Sequence, residues 1–370
     1  MIINLKSPTD FSGLYFIYEG STNIEKPGWY GISHLMEHLV CKSFEDLRDE
    51  FDKEGIDWNA YTDSNSIVFH FTGLEENLSK YRYELLDRLT QFNVTKKQFE
   101  NERQIVLEEY MDTFNDQTSS HILNLSRKLF NDYDPIGLKS DLEGLKFMDC
   151  IKFFELQYSN PTKVINVSKK EKFKSDDITF SNLKVEKKLE YGNHDVELEL
   201  NNEFKDKTSI IILSPVLDDG FAESKVINEI LGGGLQSPLY EEVREKKGLV
   251  YYIHCYLSRV NQQGINTIST QTSNKNKDQV IDCVKKVIKN PDKYLTKERF
   301  NNIKDSYIVR KKKEKINRYL SVRKWIDPVE FSVSEVIEKM KYDDIRDVYD
   351  KYYKKFEKFY VSNDKDEFKK

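Results

Sequence analysis

At 370 residues the chain is long enough for two domains with sizeable cores, and 38% hydrophobic against 33% charged residues makes it more polar than an average globular protein. A formal charge of -5, with Lys and Arg spread along the whole sequence, leaves no concentrated basic face of the kind nucleic acid needs. No stretch approaches the roughly eighteen apolar residues required to cross a bilayer, so no membrane span is expected. The N-terminus, MIINLKSPTDFSG, shows neither a basic segment leading into an apolar run nor an Arg-rich amphipathic pattern. Four cysteines (Cys41, Cys150, Cys255, Cys283) lack C-x-x-C spacing and read as reduced thiols, which together with the N-terminus points to a cytoplasmic protein.

The first strong motif along the chain is His34-Leu35-Met36-Glu37-His38. On a helix of 3.6 residues per turn His34 and His38 share one face a turn apart, with Glu37 beside them, so two neutral imidazoles can chelate one metal ion. Zinc in such a site takes a third protein ligand and keeps one position open, where water has its pKa lowered to roughly 7. Glu37 is the candidate base, in the H-x-x-E-H order of the inverzincins. Ordinary paired imidazoles on a helix surface are the alternative. Next come Asn59-Ala60-Tyr61-Thr62, a strand start after the Gly55 turn, and Ser66–Phe71, a β-branched and aromatic run in which His70 is a strand residue. The segment Lys96–Asp112 has helical character, with Phe99, Glu102, Val106 and Glu109 along one stripe. Carboxylates on a partly apolar face call for a cation, although Glu100 and Glu108 nearby also fit a solvated acidic face.

Residues 171–192 are polar and poorly periodic and predict a linker between domains at 1–170 and 193–370. It lies between two strand-like stretches, Lys163–Val167 and Asp195–Leu200. An internal repeat supports the division: Ile151, Tyr158, Val167 and Ser168 align without a gap on Ile345, Tyr352, Val361 and Ser362 at an offset of 194 residues. Such a long period indicates duplicated domains rather than a solenoid. Strands such as Ser209–Leu213 beside amphipathic helices predict an α+β fold, each domain a mixed sheet with helices packed on one face. In the second half, the glycines of Leu231-Gly232-Gly233-Gly234 end one helix, Ser237 caps the next, Pro238 fits its first turn and Gly248 closes it. That account leaves Arg244 and Tyr251 open, either as donors for a developing oxyanion or as a surface arginine and a core tyrosine.

These motifs together resemble the pitrilysin and insulinase group of zinc peptidases. Its signature is H-x-x-E-H, some seventy residues, then a glutamate with another glutamate seven positions before it; here 70 residues separate His38 from Glu109, and Glu102 lies seven before Glu109. The resemblance implies that His34, His38 and Glu109 bind one zinc ion per chain, that Glu37 is the catalytic base and that Glu102 supports the site from nearby. Asn59-Ala60-Tyr61-Thr62 is similar to the strand on which relatives bind the peptide substrate edge-on, and the stretch from Leu231 to Tyr251 is similar to the segment whose Arg and Tyr contact substrate across the chamber. It further implies half of a clamshell completed by a second chain, the simplest assembly being a homodimer in which Arg244 and Tyr251 act in trans. The expected function is therefore a zinc endopeptidase for short or unfolded peptides, with a catalytically silent peptide-binding or assembly subunit as the alternative and a zinc hydrolase for a nonpeptide ligand as a weaker one. Two departures from the pattern are the short N-terminus, with few residues for the first strands, and the charged linker.

Overall fold

The computed structural model describes residues 1–170, 172–174, 178–183, 206–216, 220–260, 263–314, 322, 325–326, 328–354 and 359–362. The fold is α+β, as expected, and the chain divides into two compact units, Met1–Thr113 with Tyr133–Lys188 and Phe114–Asp132 with Leu189–Lys370.

In chain order the elements up to the first sheet's last strand are β1 (Ile2–Lys6), β2 (Phe11–Glu19), α1 (Ile32–Cys41), α2 (Arg48–Glu54), β3 (Asp57–Thr62), β4 (Ser66–Leu74), α3 (Glu75–Leu89), α4 (Lys96–Asn115), α5 (Gln117–Phe130), α6 (Lys139–Gly144), α7 (Phe147–Gln157) and β5 (Lys163–Ser168). All but α5 and the last two residues of α4 build the first unit. Its sheet runs β1-β5-β2-β4-β3, with β1 parallel to β5 and every other pairing antiparallel. The short N-terminus thus suffices for two strands. Along β2 the run Leu14–Tyr18 is buried on both faces, as befits a central strand. Phe16 and Tyr18 meet Phe71 and Phe69 edge-on, and Tyr18 also packs on Tyr158 at the end of α7. The α1 residues Leu35, Met36, Leu39 and Val40 complete this layer.

One close approach sets where α1 begins. Gly31, at its N-terminus, has φ 98° and Gly137, before α6, has φ 72°. A Cβ on Gly137 would lie 2.4 Å from both Gly31 Cα and Tyr30 O, which are backbone atoms that can yield only if the loop moves. Gly137→Ala is therefore expected to cost about 2–4 kcal/mol, combining backbone strain with overpacking. Gly144→Ala, at a position with open space around it, should be close to neutral. Thermal unfolding of the two variants measures the difference, and equal midpoints would contradict this packing.

In the second unit, β6 (Lys207–Val216), α8 (Phe221–Gly232), β7 (Ile253–Val260), β8 (Gln263–Ser273), α9 (Lys277–Ile288), α10 (Pro291–Tyr294), α11 (Lys297–Glu314), α12 (Pro328–Lys339), α13 (Tyr342–Val348) and β9 (Phe359–Val361) follow. The sheet order is β7-β8-β6-β9, and all three pairings are antiparallel. This is the order β3-β4-β2-β5 of the first sheet over again. The counterpart of β1, expected at Asp195–Leu200, lies outside the described residues. The repeated helix and strand correspond as the spacing predicts, α7 and β5 to α13 and β9. Each helix starts the same way, Asp149 accepting from Lys146 N at 3.0 Å and Asp344 from Lys341 N at 2.7 Å.

Phe114–Asp132 falls within residues 1–170 but packs with the second unit. Leu125, Leu129 and Phe130 of α5 bury against Ile211, Ile265 and Tyr360, covering part of the sheet face opposite the larger core. Gln117 donates to Lys207 O at 2.9 Å and accepts from Gln271 Nε2 at 2.8 Å. In the segment expected to be a linker, Phe173 is buried, and Asn4 bonds its backbone N–H and C=O, both at 3.1 Å.

Candidate metal centre

The site is built on α1, whose N-terminal N–H groups are satisfied by Glu25: its Oε2 accepts from Gly31 N at 3.0 Å and its Oε1 from Ser33 N at 2.8 Å. A carboxylate there also opposes the positive end of the helix dipole. Asp141 fixes the preceding loop, its Oδ2 accepting from Gly28 N at 2.8 Å and Tyr30 N at 3.0 Å. With Leu35, Met36, Leu39 and Val40 turned into the core, the same helical period leaves His34, Glu37 and His38 half-buried on the other side.

Opposite them runs α4. Its Phe99, Val106 and Tyr110 are buried, and the same stripe presents Glu102 and Glu109 to the imidazoles. Glu109 Oε2 lies 3.5 Å from His34 Nε2 and Glu109 Oε1 3.8 Å from His38 Nε2, and one donor atom from each of the three residues falls within 4.8 Å of the others. The two rings stand at 89° to one another with centroids 4.8 Å apart. His38 Nδ1 lies 3.3 Å from Glu102 Oε2, a contact that orients the ring with Nε2 toward Glu109. Glu102 is itself buried and held by Lys42 Nζ at 2.8 Å from Oε1. Burial, reinforced by neighbouring His38, pushes His34 down to about 4, so its imidazole is neutral at pH 7.

These residues fit a metal ion. Two imidazole nitrogens and a carboxylate oxygen converge on one point, and the neutral His34 has a lone pair to give there, as a metal site requires. The donor set of two nitrogens and one oxygen suits zinc, and the separations approach the ~3.4 Å edge of a tetrahedron with arms of about 2.1 Å. Among the described residues His34, His38 and Glu109 are the group of three that could hold a metal. Glu108 accepts instead from Gln104 Nε2 at 3.0 Å along the exposed side of α4. Cys41 is half-buried, and burial together with Glu37 and Glu102 pushes its thiol up, away from the thiolate a metal takes.

Glu37 stands beside the donors without being one of them. Thr62, the last residue of β3, donates its hydroxyl to Glu37 Oε2 at 2.6 Å. Burial raises the Glu37 pKa, partly offset by that hydrogen bond and by His38. Asn59 and Ala60 lie on the same strand, which forms the edge of the first sheet, and Ala60 N donates to Asn59 Oδ1 at 2.9 Å.

Arg244 and Tyr251 belong to the second unit, where they stand together. The Arg244 guanidinium lies 5.2 Å from the Tyr251 ring and 4.6 Å from Tyr240, and Tyr251 is 82% exposed. Tyr251 is therefore not a core residue. The glycine segment ends α8 as expected and Gly248, at φ 61°, closes the helical stretch from Pro238. Ser237 does not cap it by its side chain: the Ser237 carbonyl accepts from Glu241 N at 2.9 Å, while its Oγ is buried without a hydrogen-bond partner among the described residues. The second unit has no copy of the metal centre on α8. Counted from the glycine that precedes each helix, His34, Glu37 and His38 correspond to Glu223, Val226 and Ile227, the last two fully buried.

Several residues that shape the site escaped the sequence reading. Glu25, Lys42 and Gly137 carried no periodic or motif signal, whereas Thr62 closes the Asn59-Ala60-Tyr61-Thr62 motif and could have been found there.

Comparison with known proteins fits this geometry. Residues 3–134 match the family model described as Insulinase (Peptidase family M16), and residues 116–307 match that of the Peptidase M16 inactive domain. An "Uncharacterized zinc protease" of Rickettsia bellii is 25% identical over 271 residues, 67% of this chain and 65% of the relative, so the match spans just under two thirds of that protein. One of the same description from Rickettsia felis is 24% identical over 351 residues, 85% of this chain and 83% of the relative. Among solved structures, a protease from Helicobacter pylori shares the fold with a TM-score of 0.77 at 17% identity, over 97% of this chain and 95% of that one.

Proposed function

This chain belongs to the insulinase family, peptidase family M16, and from that premise we propose that it is a zinc-dependent endopeptidase for short or unfolded peptides. The observation that carries the proposal is a pair of imidazoles, that of His34 neutral, and a carboxylate converging beside a Glu37 whose pKa burial raises. His34, His38 and Glu109 hold one zinc ion per chain, with Glu102 and Lys42 orienting His38. Zinc bound there supplies a Lewis acid for the scissile carbonyl and lowers the pKa of water.

The chain's own residues do the rest. Thr62 holds one oxygen of Glu37 and leaves the other for proton transfer. Burial brings the Glu37 carboxylate closer in basicity to the proton it must take from the attacking water and return to the leaving amine. The open edge of β3 receives the substrate as an added strand, satisfying its backbone with little demand on its sequence. On arrival of that strand the Ala60 N–H exchanges its Asn59 partner for a substrate carbonyl.

Because the second unit carries Arg244 and Tyr251 while its α8, among the described residues, holds no copy of the metal donors of α1, we assign the working form as a homodimer in which these two residues of one subunit complete the zinc site of the other. Four unpaired cysteines accord with a cytoplasmic location, and no described helix is long and apolar enough to cross a membrane. Mixing two inactive variants, Glu37→Gln and Arg244→Ala, tests the assembly. Subunit exchange should restore roughly a quarter of wild-type cleavage, since half the dimers are mixed and each of those has one complete site. A mixture that stays inactive, or a protein active as a strict monomer, rules the shared site out.

A further inference from the structure

Lys247 and Cys283 form a pair in the second unit that the zinc chemistry does not use. Cys283 lies on the buried side of α9, 4% exposed, with Val280, Val284 and Val287. Lys247 is exposed, in the turn after the helical stretch that carries Arg244. Its Nζ donates a hydrogen bond to Cys283 Sγ at 3.0 Å. The other cysteines differ: Cys255 donates to Asn228 Oδ1 at 3.1 Å, and burial pushes the thiols of Cys41, Cys150 and Cys255 up. Among the described residues Cys283 is thus the cysteine whose sulfur faces an amine, and that amine belongs to an exposed residue. The turn holding Lys247 lies between Arg244 and Tyr251 and is closed by Gly248 N donating to Arg244 O at 2.8 Å.

We propose that Lys247 and Cys283 are a peroxide-responsive modification site, joined on oxidation by a covalent Nζ–Sγ bond that pins this turn to α9. Hydrogen peroxide first oxidises the Cys283 thiol to a sulfenic acid and is itself reduced, releasing one water. The Lys247 nitrogen then attacks sulfur: the S–N bond forms as the S–O bond breaks, the hydroxyl departs as water with one ammonium proton, and a second proton passes to solvent. Sulfenic acids condense in this way with a nitrogen or a thiol held against them. The product is a sulfenamide, two electrons more oxidised than the starting pair and returned to it by excess thiol.

Peptide mapping by mass spectrometry after treating the full-length protein with hydrogen peroxide and blocking free thiols tests this. The expected result is a pair of peptides joined through Lys247 and Cys283, about 2 Da lighter than the two separately. The joined pair should be released by dithiothreitol and missing from Lys247→Arg and Cys283→Ser. Lys247→Arg keeps the exposed charge, so the loss there does not reflect unfolding. Recovery of Cys283 as thiol, or as sulfinic or sulfonic acid with Lys247 unmodified, overturns the proposal. The readout is a mass and is independent of peptide cleavage.

Discussion

Replacing Glu37 by Gln should lower peptide cleavage about 10³-fold while leaving zinc content unchanged. The substitution keeps the side-chain volume and an oxygen that can still accept from the Thr62 hydroxyl, now at 2.6 Å, so the helix and donors stay in place. What disappears is the proton acceptor, and a positioned general base contributes about 10²–10⁴-fold. Because Glu37 is half-buried, the neutral amide also removes a desolvated charge, and the variant should be no less stable than the parent. Cleavage of a quenched fluorescent peptide, with metal content measured on the same samples, separates the possibilities. Full zinc with cleavage within tenfold of wild type would falsify the assignment of Glu37 as the base.

The second large effect falls on the metal itself. Glu109→Gln replaces the carboxylate that lies 3.5 Å and 3.8 Å from the two imidazoles. Zinc affinity should fall by more than about 100-fold, beyond the upper range for a residue that only supports a ligand. Glu109 is 45% exposed on its side-chain surface, whereas Glu102 is 6% exposed and paired with Lys42. Glu109→Gln therefore loses metal without losing the fold, which a change at Glu102 would not guarantee. Its neighbour supplies the control: Glu108→Gln, on the solvent side of α4, should retain zinc. A chelator competition in which the two variants behave alike would show that the spacing from Glu102 picked the wrong glutamate.

The chemistry of this chain was legible where it rides on local periodicity. Two histidines four apart and a stripe of Phe99, Glu102, Val106 and Glu109 specify helix faces, and α1 and α4 present those faces to one another. The duplicated strand order was foreshadowed by the repeat ending at Val167 and Val361, because a strand buried on both sides keeps its apolar residues. Contacts between distant segments were not legible. Nothing local says against which sheet Leu125, Leu129 and Phe130 of α5 bury, and they bury against the second. Gly137 carries no signal until Gly31 is found against it. Glu25 and Lys42 act through a few polar contacts, which impose no spacing on a sequence. Ser237 carried a capping signature, yet its carbonyl rather than its hydroxyl took the bond.

The most direct test of the central claim is to strip wild-type protein of metal with a chelator, titrate zinc back and follow cleavage of quenched fluorescent peptides. Cleavage should vanish on removal and return in proportion to added zinc, saturating at one ion per chain. Cleavage that persists in stripped protein would contradict the account, as would full zinc occupancy with no cleavage, the behaviour of a silent peptide-binding subunit.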